Sequence, residues 1–130
     1  MNSGKKILIV DDEPDILRAV IFRLKKAGYF VIEARDGKTG LETAQRERPD
    51  LILLDVQLPL IDGLEACKQL KALADFQNTP IMFFSASTDA LIEEEIKKIG
   101  GCGYLRKPFE AQELLLKVEQ LLKQEREKIP

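Results

Sequence analysis

The sequence predicts a single α/β domain in which an open parallel β-sheet carries helices on both faces. Short apolar runs alternate five times with longer amphipathic stretches along the 130 residues, and connections of that length are typical of βα units. Three of the runs are apolar without alternation, which indicates strands covered on both faces. A chain of 14.7 kDa has about the length of one domain and forms a core without needing disulfides or a structural metal.

The strand candidates are the five apolar runs. The first, third and fourth lack the alternation of polar and apolar residues that a half-exposed strand shows, so we expect them inside the sheet. The five runs are residues 7–10, 30–32, 51–54, 81–84 and 104–105.

The first two helices are delimited by residues that favour helix ends. Pro14 suits the first turn of the first helix, and Gly28 suits the position just after its last turn. The second helix is predicted over residues 37–47, with Asp36 as its N-cap. Helical spacing predicts an inward apolar stripe on each, formed by Ile16, Leu17, Val20 and Leu24 in the first and by Leu41 and Ala44 in the second.

The last three helices are predicted from their apolar stripes. The third covers about residues 64–73 and is entered through Asp62, and the fourth begins near Thr88 and stops at Gly100. The apolar stripe of the fifth helix stops at Leu122 and is followed by the charged stretch 123–128, which is either a fraying helix end or the start of a linker. The inward residues are Leu91, Ile92, Ile96 and Ile99 in the fourth helix, and Leu114, Leu115, Val118, Leu121 and Leu122 in the fifth.

Composition excludes several classes of function. Twenty Lys and Arg against 22 Asp and Glu give a net charge of −2. The chain therefore has no overall positive field, and direct nucleic-acid binding is not expected. No apolar run is long enough to cross a membrane or to form a signal peptide, and we expect a cytoplasmic location. The absence of histidine excludes Ser-His-Asp and Cys-His catalysis and histidine-ligated metals. Cys67 and Cys102 lack zinc-site spacing and are expected to be reduced, partly buried thiols.

Polar residues follow four of the five strands. Ligands of open α/β sheets bind at the carboxyl ends of the strands, so these side chains are expected to converge at one edge. Each also has a simpler interpretation: a carboxylate after a strand is often a helix cap, and Asp12 could cap the helix that begins at Pro14. The serine could be an ordinary loop residue and the lysine a solvated side chain. The residues are Asp11, Asp12 and Glu13 after the first strand, Asp55 after the third, Ser85 after the fourth and Lys107 after the fifth.

The charges of this predicted cluster indicate a divalent cation. Asp11, Asp12 and Asp55 would bring together three negative charges, and two like charges ~4 Å apart cost about 4 kcal/mol at an effective dielectric constant of 20. Lys107 supplies one compensating charge. A cluster of oxygen ligands without Cys or His favours Mg²⁺ over zinc or copper.

The same side chains suit phosphoryl transfer. A cation and Lys107 would neutralise the phosphoryl oxygens, Ser85 would donate a hydrogen bond, and Asp55 would attack to give an acyl phosphate. The chain has neither a GxxxxGK[ST] nor a GxGxxG phosphate-binding loop.

Four stretches together resemble the receiver domain of two-component response regulators, the family of the bacterial chemotaxis regulator. They are ILIVDDE at 7–13, LLDVQLPLIDG at 53–63, FSA at 84–86 and GYLRKPF at 103–109. The resemblance covers about residues 5–122 and implies a flavodoxin-like doubly wound sheet of order 2-1-3-4-5 with five helices. It also implies a cis bond between Lys107 and Pro108. Two departures lie outside the site: Leu58 replaces a commoner methionine, and a Gly-Gly-Cys-Gly run precedes the fifth strand.

The resemblance also implies a role for each residue of the site. Asp55 would be the phosphoacceptor and a metal ligand. Mg²⁺ would be bound by Asp12 directly, by Asp11 through water and by the backbone carbonyl of Gln57. Ser85 and Lys107 would hold the phosphoryl group, and Tyr104 would be the aromatic switch residue.

The function implied is a phosphorylation-activated switch in a two-component phosphorelay. The donor would be a sensor histidine kinase or a histidine phosphotransfer protein. The output would pass through the surface of the fourth helix, fifth strand and fifth helix to a downstream protein, a fused effector domain or a second copy. The chain would be no enzyme beyond its own phosphorylation and slow dephosphorylation. We expect residues 1–130 to be one receiver domain with its core at about 5–122, either alone or as part of a longer regulator or hybrid kinase.

Three other interpretations compete with this one. A phosphohydrolase of the haloacid dehalogenase type needs a second aspartate two residues after its nucleophile, where this chain has Gln57, and it needs a cap insertion. A flavodoxin-like cofactor carrier would need a phosphate-binding loop. A receiver that only binds proteins would be expected to lack Asp12, Asp55 or Lys107, and all three are present.

Overall fold

A computed structural model of the chain describes residues 4–86 and 91–127 and has alternating strands and helices in this part. Every predicted strand is present, each within one or two residues of its predicted ends. In chain order the elements are β1 (Lys6–Val10), α1 (Pro14–Lys26), β2 (Phe30–Ala34), α2 (Gly37–Glu47), β3 (Leu51–Asp55), α3 (Gly63–Lys71), a 3₁₀ turn (Ala74–Phe76), β4 (Ile81–Ser85), α4 (Leu91–Lys98), β5 (Gly103–Arg106) and α5 (Ala111–Glu127).

The sheet is parallel, and its strand order is β2-β1-β3-β4-β5. This confirms the predicted doubly wound arrangement. The register pairs Val10 with Leu54 and Asp55 with Phe84, so the carboxyl ends of β1, β3 and β4 lie side by side. Polar residues that follow these strands are therefore brought to one edge of the sheet.

Two apolar layers cover the faces of the sheet. Successive strand residues point to opposite faces, so Ile9 packs in the layer under α1 and α5, whereas Leu8 packs in the layer under α2, α3 and α4. Each fully buried Leu, Ile or Phe contributes about 1.5–3 kcal/mol. The three central strands are buried on both faces, as predicted, and the site lies at the ends of these well-packed strands.

Capping explains why α1 ends, and α2 begins, where the sequence predicts. Gly28 has φ +100°, and its N–H donates to the Lys25 carbonyl while that of Tyr29 donates to the Leu24 carbonyl, which is a Schellman motif. The Asp36 carboxylate accepts a hydrogen bond from the Thr39 N–H at 2.7 Å. Helix α2 accordingly has the predicted bounds.

Three predictions about the later helices were wrong or only approximate. Helix α3 ends at Lys71, because the chain turns into the 3₁₀ segment there. Leu91 is 66% exposed; it lies one position, or about 100° of rotation, from the inward stripe of α4. Helix α5 continues to Glu127 through the charged stretch, since Lys, Gln, Glu and Arg have high helix propensity and need no apolar contact. The predicted start of α4 at Thr88 lies outside the described residues.

The two thiols differ more than the sequence predicts. Both cysteines are free, but Cys67 is buried and Cys102 is exposed. Within the ranges 4–86 and 91–127, no helix combines the length and the apolar character that crossing a lipid bilayer requires.

Candidate functional site

The sheet itself fixes the backbone of the residues that follow β1, β3 and β5. The N–H of Asp11 donates to Ala34 and that of Lys107 donates to Ser85, at 3.1 and 2.8 Å. The N–H of Val56, directly after Asp55, donates to the Phe84 carbonyl. Each strand thus continues its hydrogen bonding one residue beyond its end, which holds the polar residues in place.

An ammonium lies at the centre of three carboxylates at this edge. The Lys107 Nζ is 2.8 Å from Asp55 Oδ2, 2.9 Å from Asp11 Oδ2 and 2.6 Å from Glu13 Oε1. Its side chain is only 9% exposed, and Asp11 and Asp55 are buried, whereas Glu13 is mostly exposed. The interpretation of Lys107 as a solvated side chain is therefore wrong.

The pKa values of Lys107 and Asp55 are both raised, for different reasons. Burial lowers the pKa of Lys107, but its hydrogen bonds to Asp55 and Glu13 and its ion pair with Asp11 outweigh this and raise the pKa overall. Burial raises the pKa of Asp55, and its hydrogen bond from Lys107 only partly offsets this. The lysine has three anionic partners, whereas Asp55 shares one cation with two other carboxylates. The pocket therefore has an excess of negative charge.

The carboxylates of Asp11, Asp12 and Asp55 form a group that suits a hard cation. One oxygen from each lies within 4.8 Å of the others, comparable with the roughly 3–4 Å that separates ligand oxygens around Mg²⁺ at about 2.1 Å. Among the described residues, the buried Asp11 Oδ2 has no partner in hydrogen-bonding geometry, even though Lys107 Nζ lies 2.9 Å away. A buried acceptor of this kind, next to an exposed Asp12, fits a cation that keeps several waters.

Asp12 does not cap α1. The N-cap position is occupied by Glu13, whose side chain makes no capping bond. Instead the Asp11 carboxylate accepts the Glu13 N–H at 2.9 Å. The alternative interpretation of Asp12 as a structural cap is therefore wrong, and its carboxylate belongs to the acidic group.

The loop after β3 approaches Asp55 closely. The Gln57 N–H donates to Asp55 Oδ1 at 3.0 Å, so both oxygens of this carboxylate have partners. Gly63, the first residue of α3, lies so close that a β-carbon there would be 2.0 Å from the Asp55 carbonyl oxygen. Asp62 caps α3 by accepting the Glu65 N–H at 2.8 Å, so its carboxylate turns toward the helix rather than toward Asp55.

The residues that follow Lys107 anchor its loop to the core of the domain. The Lys107–Pro108 bond is cis, as predicted. Phe109 then stacks on Phe84 of β4 with 4.9 Å between ring centroids, which ties the loop after β5 to the core.

Ser85 and Tyr104 occupy different surroundings. Ser85 is 2% exposed at the end of β4, one residue beyond the Asp55–Phe84 pair. Tyr104, on β5, pairs with Phe83 of β4. It is half-buried against the apolar layer under α4. The structure thus places Ser85 at the edge where the acidic group lies, whereas Tyr104 packs on the α4 side.

Sequence reasoning gave no role to Glu13, which the structure brings onto Lys107. The two residues are 94 positions apart, and no local pattern predicts such a pairing. The one indication in the sequence was positional, since Glu13 directly follows Asp11 and Asp12 at the carboxyl end of β1.

Comparisons with known proteins agree with this geometry. Residues 7–119 match the family described as the response regulator receiver domain. The chain is 39% identical, over 92% of its length, to the alkaline phosphatase synthesis transcriptional regulatory protein PhoP of Bacillus subtilis. The chain spans about half the length of the curated relatives it matches.

Two solved structures are similar in fold as well as in sequence. The chemotaxis response regulator CheY4 of Vibrio cholerae is 35% identical with a TM-score of 0.86, over 90% of this chain and 98% of that one. The receiver domain of sensor histidine kinase PA1611 from Pseudomonas aeruginosa is 30% identical with a TM-score of 0.85, over 93% of this chain and 99% of that one. That receiver domain has a magnesium ion coordinated in its active-site cleft.

Proposed function

Because this chain belongs to the receiver-domain family of two-component response regulators, we propose that Asp55 is the residue on which it receives a phosphoryl group. The observation that carries this proposal is the 2.8 Å contact between Asp55 Oδ2 and the Lys107 ammonium in a buried acidic pocket. A buried carboxylate beside a fixed cation is suited to attack phosphorus, because the cation stabilises the charge that collects on the phosphoryl oxygens.

The transfer step exchanges one bond for another. The bond between the donor nitrogen and phosphorus breaks, and a bond between an Asp55 carboxylate oxygen and phosphorus forms. The donor imidazole keeps the electron pair of the broken bond and, because its other ring nitrogen carries a proton, leaves as neutral imidazole. Lys107 then pairs with a phosphoryl oxygen, and Ser85 donates a hydrogen bond to another.

We assign the Mg²⁺ ligands to the acidic group and its neighbouring loop. Asp12 and Asp55 would hold the ion by their carboxylates, Asp11 would do so through water, and Gln57 would contribute its backbone carbonyl. When bound, the ion neutralises negative charge that would otherwise repel a phosphoryl group. The support is the grouping of carboxylate oxygens within 4.8 Å and the buried Asp11 Oδ2, for which the described part of the chain offers no hydrogen-bond partner.

The signal leaves the site, we propose, through Ser85 and Tyr104. A phosphoryl group on Asp55 gives the Ser85 hydroxyl a strong acceptor, and Tyr104, already half-buried, would move further inward. Such a two-state shift would change the surface of α4, β5 and α5, which includes Lys97 and Arg106.

The partners follow from this assignment. The donor would be a sensor histidine kinase or a histidine phosphotransfer protein, and the output partner a protein, a fused effector domain or a second copy. The Bacillus relative is named a transcriptional regulatory protein. The expectation of no nucleic-acid contact, which rests on the net charge of −2, therefore applies to the receiver domain and does not extend to a longer protein. The reactions proposed for the domain itself are its own phosphorylation and dephosphorylation.

Intact mass spectrometry tests the phosphoacceptor. Incubation with acetyl phosphate and Mg²⁺ should add one phosphoryl group, and either excess chelator or the Asp55→Asn substitution should abolish the gain. Asp62→Asn is the matched control, because Asp62 lies in the same loop and caps α3. Equal labelling of the Asp55→Asn protein would contradict the assignment.

NMR with beryllofluoride and Mg²⁺, which together mimic the phosphoryl group, tests the route to the surface. Shift changes should extend to residues 91–99 and 103–106. Changes confined to the immediate neighbours of Asp55 would contradict this route.

A further inference from the structure

The loop between β3 and α3 holds Leu60 in a backbone conformation that leucine rarely adopts. Its φ is +70°, and the Ile61 N–H donates to the Pro59 carbonyl at 2.9 Å, so Leu60 is the central residue of a γ-turn. Turns of this hand are rare and strained, because a β-carbon crowds the backbone at positive φ. Glycine or asparagine would adopt the same turn more easily.

Contacts on both sides of the loop keep this turn in place. The Pro59 carbonyl also accepts the Gly37 N–H at 3.2 Å, and α2 begins so close to the loop that a β-carbon on Gly37 would lie 1.6 Å from the Ile61 carbonyl oxygen. At the other end of the loop the Gly63 N–H donates to Val56 at 2.9 Å. Backbone strain persists where the surroundings determine the conformation in this way.

The leucine side chain gains nothing from the core for this strain. Leu60 is 77% exposed, the highest value among the large apolar side chains of the described residues. Its neighbours Leu58 and Ile61 pack against the layer under α2 and α3. The loop therefore partly buries Leu58 and Ile61, whereas Pro59 and Leu60 between them are exposed.

Leu60 belongs to the loop that leads from Asp55 to α3. Gln57, Leu58 and Asp62 of this loop line an open cavity of about 400 Å³ together with Asp12, and Leu60 lies between Leu58 and Asp62 in the chain. A protein that brings a phosphoryl group to Asp55 must cover this rim.

From the strain, the exposure and this position we propose that Leu60 is a contact residue for the phosphohistidine protein that supplies the phosphoryl group, and that it packs on an apolar surface of that donor. This rests on the proposed function of Asp55 as phosphoacceptor. Leu60 takes no part in the transfer step itself. A small donor such as acetyl phosphate has no surface for it to contact.

Comparing two donors on one substitution tests the inference. Leu60→Asn should leave the rate of labelling by acetyl phosphate within about twofold, while labelling by a phosphorylated histidine phosphotransfer protein should slow about tenfold, as expected for one truncated contact residue. The protein donor is chosen from a panel of purified, phosphorylated histidine phosphotransfer proteins as the one that labels the unsubstituted chain fastest. Asparagine relieves the strained φ, so Tm should rise by roughly 2–4 °C. Leu60→Gly should behave alike, and Leu60→Met should keep the protein-donor rate.

Each further outcome has a defined meaning. Leu116→Asn, which changes a leucine that is 57% exposed on α5, should leave both rates unchanged. Equal rates for Leu60→Asn and the unchanged chain with the protein donor, or equal losses with both donors, would overturn the inference. The inference would also be overturned if acetyl phosphate labels the unsubstituted chain but no phosphohistidine protein does. A dimer of the unsubstituted chain that Leu60→Asn dissociates would overturn it as well. Failure of the proposed function would appear separately, as undiminished labelling of Asp55→Asn.

Discussion

Lys107 and Asp55 are joined by a 2.8 Å contact between Nζ and Oδ2, although 52 residues separate them in the chain. The same ammonium contacts Asp11 and Glu13. One cation thus serves three carboxylates, two of them buried. The charge balance of the resting site depends on this lysine.

Lys107→Ala is expected to lower the free energy of unfolding by about 3 kcal/mol at pH 7 without metal, because it leaves buried carboxylates without their cation. Chemical denaturation in the presence of a chelator measures the loss. Mg²⁺ should restore part of it, since a second cation replaces the missing charge. Lys97→Ala, at an exposed position on α4, is the control and should change stability little. Equal stability of the two variants would show that Lys107 does not balance the pocket.

Asp55→Asn is expected to stabilise the metal-free domain by about 1 kcal/mol or more at pH 7. Burial raises the pKa of Asp55 above its ordinary value of 3.8, so the folded state binds this proton more tightly than the unfolded chain. The carboxylate therefore costs stability as the pH rises from 3.8 through the raised pKa, and costs none below that window. Thermal unfolding across pH should show the two proteins converging in acid and separating toward neutrality. A constant difference at all pH values would contradict this.

Gly63→Ala is expected to destabilise the fold by about 3 kcal/mol or more. Its β-carbon would lie 2.0 Å from the Asp55 carbonyl oxygen, which is backbone and cannot move aside alone. Gly103→Ala is the matched control, because its nearest neighbour at 3.1 Å is the flexible side chain of Met82. Thermal unfolding compares the two, and similar Tm values would show that the loop tolerates displacement.

A thiol reagent at pH 8 is expected to modify Cys102 and to spare Cys67 in the native protein. Cys102 is exposed, whereas Cys67 is fully buried and burial raises its pKa to about 11. The reactive species is the thiolate, which Cys67 hardly forms at this pH. Cys102→Ser should remove the fast reaction, and denaturant should expose the second thiol. Rapid modification of the Cys102→Ser protein while folded would contradict the assignment.

Local chemistry made most of the fold predictable from the sequence. Asp36 determines where α2 begins, because its side chain binds a backbone N–H three residues away, and Gly28 ends α1 because its φ is positive. Hydrophobic periodicity predicted less well at the ends of the later helices. It placed Leu91 inward, although this residue lies to the side of the α4 stripe. It also left open whether the charged stretch after Leu122 is a helix end or a linker, and the structure continues α5 to Glu127.

The candidate site was predictable as a set of residues but not as a network. Parallel strands bring Asp11, Asp55 and Ser85 to one edge, and that follows from the order of the strands. The contact of Glu13 with Lys107 depends on side-chain rotamers and on burial across 94 residues, and sequence spacing contains no information on either. The strained turn at Leu60 was likewise missed, since a leucine at positive φ has no composition signal.

Lys107 directly follows the last strand, so it is the last residue of the candidate site to be synthesised. Asp11 and Asp55 leave the ribosome well before β5, yet the cation that balances them arrives only once β5 has paired with β4. Contacts between such distant segments form late in folding. A nascent or proteolytically shortened chain that ends before Lys107 therefore lacks the cation that contacts its acidic residues. The proposed phosphoryl-receiving site is therefore complete only in molecules whose last strand has joined the sheet.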